Sequence, residues 1–182
     1  HTIERLGQKG DGIAPGPVFV PRMLPGEVVT GQLNGDRLDD AKIVTPSEHR
    51  VKAPCSHYNR CGGCTLQHAH DDFVADWKQR VVVKALAAHG IESEFRPIIT
   101  CDPMTRRRAT FSGRRLKKGA LVGFHTRASD TVVSIPNCHL LHPGLRAALP
   151  ILEELTVLVG ARKGEVSFAV TLGVEGLDIG IT

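Results

Sequence analysis

Between Phe73 and Ala85 an apolar residue recurs every fourth position (Phe73, Trp77, Val81, Ala85), with Gln79, Arg80 and Lys84 falling between. That spacing predicts an amphipathic helix with one apolar stripe. Asp71 or Asp72 is placed to cap it and Gly90 to stop it. Before the helix, residues 2–48 alternate over much shorter runs. Thr2–Leu6, Gly12–Ala14, Pro17–Pro21, Gly26–Leu33 and Ala41–Thr45 read as strands, and Asn34-Gly35 is a strong hairpin turn. Prolines on both sides of Val18-Phe-Val suit a strand at an edge. Four or five short strands with frequent turns suggest a small β-barrel, either a generic β domain or an OB-like platform for nucleic acid.

After the helix the period returns to two. Arg107–Arg115, a turn at Lys117-Lys118-Gly119, Leu121–His125 and Thr131–Ile135 predict an antiparallel meander. Pro143 to about Val159 reads as a helix broken or kinked at Pro150. Glu165–Leu172 and Leu177–Thr182 read as a hairpin over Gly173-Val-Glu-Gly176. The expected class is mainly β with α, an α+β arrangement.

At 182 residues the chain is one ordinary domain or two small ones. No apolar run is long enough to span a membrane, and no secretory segment is visible. A net charge of +4 says little, but its distribution says more. Arg106, Arg107, Arg108, Arg114, Arg115, Lys117, Lys118 and Arg127 fall between Met104 and Ser129 with no acidic residue among them. Phosphate backbones bind such a surface by counterion release. The plain alternative is a solvated sheet face paired with acids from elsewhere. Phe124 and His125, at the end of a strand, are placed to stack on an unpaired base, although Phe124 suits a core equally well.

The densest chemistry is Cys55-Ser-His-Tyr-Asn-Arg-Cys61-Gly-Gly-Cys64, a C-x5-C-x2-C spacing entered through Pro54. A C-x2-C reversal aims two thiolates at one centre, and glycine adopts conformations that other residues avoid. Five cysteines, an odd number, argue against a disulfide knot. Zinc and an iron–sulfur cluster both remain, and both call for a fourth ligand. Cys101, Cys138, His57 and His68 are the candidates. Cys101-Asp-Pro has no neighbour in sequence that would activate its thiol, and His139 and His142 read as loop residues. No Gly-rich nucleotide or S-adenosylmethionine fingerprint, P-loop or Ser/His/Asp ordering is present.

Taken together these residues resemble the N-terminal half of the iron–sulfur RNA uracil-5-methyltransferases, the type that modifies 23S ribosomal RNA. Ile3-Glu-Arg-Leu, Gly10-Asp-Gly-Ile-Ala, Val18-Phe-Val-Pro and Leu24-Pro-Gly-Glu resemble a TRAM domain. Pro46-Ser47 and Arg50-Val51 lead into the cysteine loop, and Leu66-Gln67-His68 follows it. Arg107-Arg108-Ala109, Gly123-Phe124, Ser129 and Ile135-Pro-Asn-Cys138 resemble the family's central domain.

The resemblance implies a [4Fe–4S] cluster on Cys55, Cys61, Cys64 and Cys138, the last in the context Cys138-His-Leu-Leu-His-Pro143, with Cys101 left out. The cluster is expected to be lost readily in air. The implied organisation is a TRAM-like barrel over 1–50 and a cluster loop over 51–68. A helix over 69–90 follows, packing on the methyltransferase domain in the family, and a central α+β domain fills 91–182. The family's doubly wound catalytic domain, which binds S-adenosylmethionine, has no counterpart in these residues, so methyl transfer is expected only of the longer parent. RNA, most simply 23S rRNA, is the implied partner of a cytoplasmic monomer with no membrane association. A zinc-containing RNA-binding adaptor, a tRNA uracil-5-methyltransferase fragment and an electron-transfer protein are the competing expectations.

Overall fold

The Asn34-Gly35 turn joins the two longest strands of the first sheet, with Gly35 in the left-handed region at φ 61°. The sheet comprises β1 (Arg5–Leu6), β2 (Gly12–Ala14), β3 (Val18–Val20), β4 (Val28–Asn34) and β5 (Arg37–Thr45), in the order β1-β2-β3-β5-β4. Neighbours run antiparallel except β3 and β5, which pair in parallel at Phe19 and Arg37. Alternation in β3 buries Val18 and Val20 and exposes Phe19. These two valines close a core with Ile3, Val29 and Leu38. The computed structural model describes all 182 residues, which divide into two units. The first comprises residues 1–53 with 65–100, the second 54–64 with 101–182.

Helix α1 (Asp71–Ala87) belongs to the first unit and lies where the four-residue repeat predicts. Only its first half reaches a core: Phe73, Val74 and Trp77 pack on Leu6, Leu24, Leu66 and Ala69. Ala85 is exposed, as are Val82 and Val83, and no residue of the helix is fully buried. The expected stripe therefore persists for about two turns and then runs into solvent. Beside it lies a cleft of about 500 Å³, walled by Leu6, Pro25, Phe73, Trp77 and Val81. The cap also differs from expectation. His70, not Asp71 or Asp72, occupies the position, its Nδ1 accepting the N–H of Asp72 at 3.4 Å. Gly90, at φ 69°, ends the turn after the helix as expected. Residues 91–102 form no regular element and are exposed throughout.

The second unit is built on β6 (Arg108–Arg115), β7 (Ala120–His125), β8 (Val132–Ser134), β9 (Val166–Leu172) and β10 (Leu177–Ile181), in the order β10-β9-β6-β7-β8 and antiparallel throughout. Alternation along β6 puts Ala109, Phe111 and Gly113 on the buried face. There they meet Phe168, Leu141, Leu145 and Leu152. The expected helix after Pro143 is two, α2 (Pro143–Ala147) and α3 (Leu149–Val159). The break falls just before Pro150, where the missing N–H and the ring forbid continuation.

Gly123 on β7 is the tightest backbone approach in this sheet, since an added Cβ would fall on the Val133 carbonyl of β8. Gly123→Ala is expected to lower the thermal midpoint of the second unit by roughly 4–24 °C, the scale for about 1–3 kcal/mol of overpacking at about 4–8 °C for each kcal/mol. A scan followed by near-UV circular dichroism checks this, and an unchanged midpoint would mean that the β7–β8 pairing is looser than described. The whole is a mixed α+β, sheet-rich fold with two sheets and few helices.

Candidate metal centre and nucleic-acid interface

The cysteine loop, residues 55–64, is folded on its own carbonyls. Tyr58 N–H donates to Cys55 O at 3.1 Å, and Arg60 and Cys61 N–H both donate to His57 O, at 3.0 and 2.8 Å. The loop is then fixed to the end of β7: Gly62 N–H donates to His125 O at 2.8 Å, and Cys61 bridges Thr126. This attachment corrects the reason given to the glycines. Neither Gly62 nor Gly63 has a positive φ. Gly62 is required by closeness instead, because a Cβ there would stand 2.9 Å from both Arg127 N and His125 O.

Cys55, Cys61 and Cys138 are buried, Cys64 is partly exposed and Cys101 is exposed, and none is in a disulfide. Cys61 and Cys138 belong to one apolar cluster around Phe111. Burial pushes the Cys61 thiol up, the N–H of Gly63 opposes this, and the nearby Cys138 and Cys55 sulfurs push it further up. Gly63 N–H points at Cys61 Sγ from 3.4 Å. Neighbouring thiols of this kind repel one another once ionised, and only a bound cation reverses that.

The remaining candidates fall elsewhere. His57 Nε2 already accepts the N–H of Asn137 at 3.3 Å. His68 lies in the first unit, where burial, then Arg50, hold its pKa down at about 4, with Glu27 opposing and Arg22 reinforcing.

No group of three or more His, Cys, Asp or Glu side chains closes tightly enough to hold a single metal ion. A zinc site draws its thiolates to about 2.3 Å from one point. An iron–sulfur cluster would likewise be held by cysteine thiolates. Buried thiols in apolar surroundings, one of them receiving an N–H, form a donor set that fits such a group.

The basic residues divide by face. Arg108 and Arg114 share the solvent face of β6 with Thr110 and Ser112. Arg106, Lys117, Lys118 and Arg127 are exposed beyond the strand ends. Arg107 is engaged with the β9–β10 turn, its Nε and Nη2 donating to Leu172 O at 3.1 Å and Gly173 O at 3.0 Å. Arg108 Nε donates to Thr171 Oγ1 at 3.1 Å, and Arg115 Nη1 reaches Gly160 O at 3.4 Å. Phe124 is half-buried and stacks on Phe111, with ring centroids 5.4 Å apart and 4° between planes.

Sequence reasoning missed Glu165. It meets His125 Nε2 at 2.8 Å and Arg114 Nε at 3.2 Å, and those partners with Ser112 hold its carboxyl below the usual range against the upward push of burial. The signal was available, since a lone acid immediately precedes β9, next to the Arg114 end of β6.

No family model matches the chain. A Caulobacter vibrioides protein named as an uncharacterized RNA methyltransferase is 40% identical over 188 residues, spanning 100% of the chain and 45% of that protein. The chain is similar to RNA methyltransferases along its whole length. A Brucella suis protein, likewise named as an uncharacterized RNA methyltransferase, is 38% identical over 98% of the chain and 44% of its own length. The 23S rRNA (uracil(1939)-C(5))-methyltransferase of Acinetobacter baumannii is 36% identical over 91% of the chain and 36% of its own. Among solved structures, the Pyrococcus abyssi tRNA (uracil-54, C5)-methyltransferase in complex with S-adenosyl-L-homocysteine matches with a TM-score of 0.65 at 23% identity. That match covers 99% of this chain and 44% of the other, and it establishes a shared fold. The chain thus spans less than half the length of the RNA methyltransferases it matches. No helix is long and apolar enough to cross a membrane.

Proposed function

We propose that these 182 residues are the RNA-binding and [4Fe–4S]-binding portion of a cytoplasmic, S-adenosylmethionine-dependent 23S rRNA uracil-5-methyltransferase. The observation that carries this reading is the unbroken similarity to RNA methyltransferases from one end of the chain to the other. The ribosomal target is preferred because a relative at 36% identity bears that name, whereas the tRNA enzyme at 23% speaks for the fold alone. In this reading residues 1–50 form a TRAM-like barrel, and the second sheet offers its basic face to RNA.

Cys55, Cys61, Cys64 and Cys138 would hold the cluster, and Cys101 stays outside it. When bound, the cluster supplies a four-point anchor of iron–thiolate bonds and no redox step. This chain's own contribution is to bury three of the four thiols, exclude water with the Phe111–Phe124 pair and aim the Gly63 N–H at Cys61.

RNA binding is tested by its salt dependence. Replacing Arg108, Arg114, Lys117 and Lys118 by Gln removes cations without touching the carbonyl hydrogen bonds of Arg107 and Arg115. With a single-stranded RNA, the slope of log K against log salt is expected to flatten by about 0.7 for each phosphate that is no longer neutralised. An unchanged slope would remove the basic face from the interface. The same RNA, incubated with labelled S-adenosylmethionine and this chain alone, is expected to acquire no methyl group.

A further inference from the structure

We infer that His57 is a positioning residue that pins the Cys138 segment to the cysteine loop and so sets how firmly the iron–sulfur group is retained. The inference rests on the cluster reading above and adds a residue outside the ligand set. The His57 side chain bonds directly to the turn that carries Cys138: its Nε2 accepts the N–H of Asn137, the residue next to Cys138, from 80 positions away. Its own carbonyl accepts the N–H groups of Arg60 and Cys61. One residue thereby fixes the loop from within and ties it to the distant ligand.

The segment on the other side is stiff enough for the tie to matter. Pro136 precedes Asn137, and Cys138 N–H donates to Ile135 O at 3.0 Å, closing a turn over the two residues between. Ile135 is 1% exposed and belongs to the same apolar cluster as Cys61 and Cys138. The Cys138 sulfur therefore moves with the turn, and the turn's outer edge is held by the imidazole. Without that bond the outer edge depends on the packing of Ile135 and Cys138 in the core and on the next residue, His139, whose carbonyl accepts the N–H of Met104 at 3.0 Å. A looser turn would hold the Cys138 thiolate less firmly on a bound group and leave that group more open to water and oxygen.

The test compares reconstituted wild type with His57→Phe and His57→Gln. Phe keeps a ring in the same place but accepts no hydrogen bond, while Gln restores an acceptor oxygen at similar reach. Both leave the backbone bonds to the His57 carbonyl intact. The readouts are iron and sulfide per chain and the lifetime of the visible absorption in air and with a chelator. His57→Phe is expected to shorten that lifetime about fivefold, the factor that one hydrogen bond of ordinary net strength contributes. His57→Gln is expected to stay within about twofold of wild type, and the iron-free His57→Phe protein to melt no more than about 8 °C below iron-free wild type, the scale for one such bond. A His57→Phe lifetime equal to wild type overturns the role, and so does loss with Gln but not with Phe, which would mark ring packing as the cause. Wild type that takes up no iron or sulfide at all removes the cluster reading itself and this role with it.

Discussion

Glu27→Gln is expected to destabilise the first unit by about 3–5 kcal/mol, the cost of breaking one half of a buried ion pair. Glu27 has no exposed surface and is the hub for four donors. Its Oε2 accepts Leu24 N–H at 2.8 Å and Arg50 Nη2 at 2.8 Å, and its Oε1 accepts Ser47 N–H at 3.3 Å together with Arg50 Nε. Gln offers one acceptor oxygen and an NH2 group that only donates. Whichever way its amide is turned, the NH2 faces two N–H groups, and the Arg50 charge is left without its partner. Trp77 is the sole tryptophan and sits in this unit, so urea unfolding followed by its fluorescence reads the change directly. Glu165→Gln, on the surface, is the control and is expected to move that transition by less than about 0.5 kcal/mol. Replacing Glu27 and Arg50 together by Met is expected to recover part of the loss, because the orphaned charge goes too. A single Glu27→Gln variant with unaltered stability would mean that the pair is solvated in solution.

The same hub makes the first unit sensitive to acid, and the sign follows from two groups. Burial pushes Glu27 up, but the Arg50, Leu24 and Ser47 hydrogen bonds pull it below its usual 4.5. Its stability is therefore present above pH 4.5 and is lost as the pH falls through the lower folded value. His68 is depressed from 6.5 to about 4, mainly by burial. Between those values the unfolded chain carries a proton that the folded chain refuses, so stability drops as the pH falls from 6.5 toward 4, by roughly 3 kcal/mol in all. The urea midpoint should decline first in the His68 window and again below pH 4.5. A midpoint flat from about pH 7 to 4 would place His68 in water.

Local signals carried the elements, and distant ones carried what matters for the sites. Asn34-Gly35 placed the β4–β5 hairpin because a turn of that type needs the left-handed backbone that Gly35 adopts. The four-residue repeat placed α1 because side chains at that spacing share one face. The position of β9 between β6 and β10 had no such sign. Its register, Arg108 opposite Thr171 through Gly113 opposite Val166, is set by Phe111 and Phe168 filling the same core from strands far apart in the chain. Glu27 was equally hidden, since an acid flanking a strand reads as solvated until Arg50 is seen beside it. At the candidate centre, spacing alone supplied three cysteines and left four candidates for the next ligand. The structure puts Cys138 near Cys61 and leaves Cys101 exposed. It also turns His57 from a candidate ligand into a hydrogen-bond acceptor.

The largest effect in the second unit is expected from Cys138→Ser in protein reconstituted with iron and sulfide without oxygen. Serine keeps the volume and withdraws the only proposed cluster ligand that comes from outside the loop. Without it the remaining three belong to one short stretch, and nothing links that stretch through metal to the sheet. Through a bound cluster Cys138 would close a loop of about seventy residues, for which the chain-entropy cost is about 4 kcal/mol. That corresponds to a fall in midpoint of more than about 10 °C for a unit of this size. Iron per chain should drop with the visible absorption, while Cys101→Ser should leave both unchanged, its side chain being exposed. Comparison of the metal-free proteins separates the two causes. If the metal-free Cys138→Ser variant melts with the metal-free wild type, the loss belongs to the cluster. If it melts equally far below, the thiol is needed for packing beside Phe111 and Leu141. A Cys138→Ser protein that keeps its full iron content and midpoint would take this residue out of the ligand set, and with it the anchor between the cysteine loop and the basic sheet.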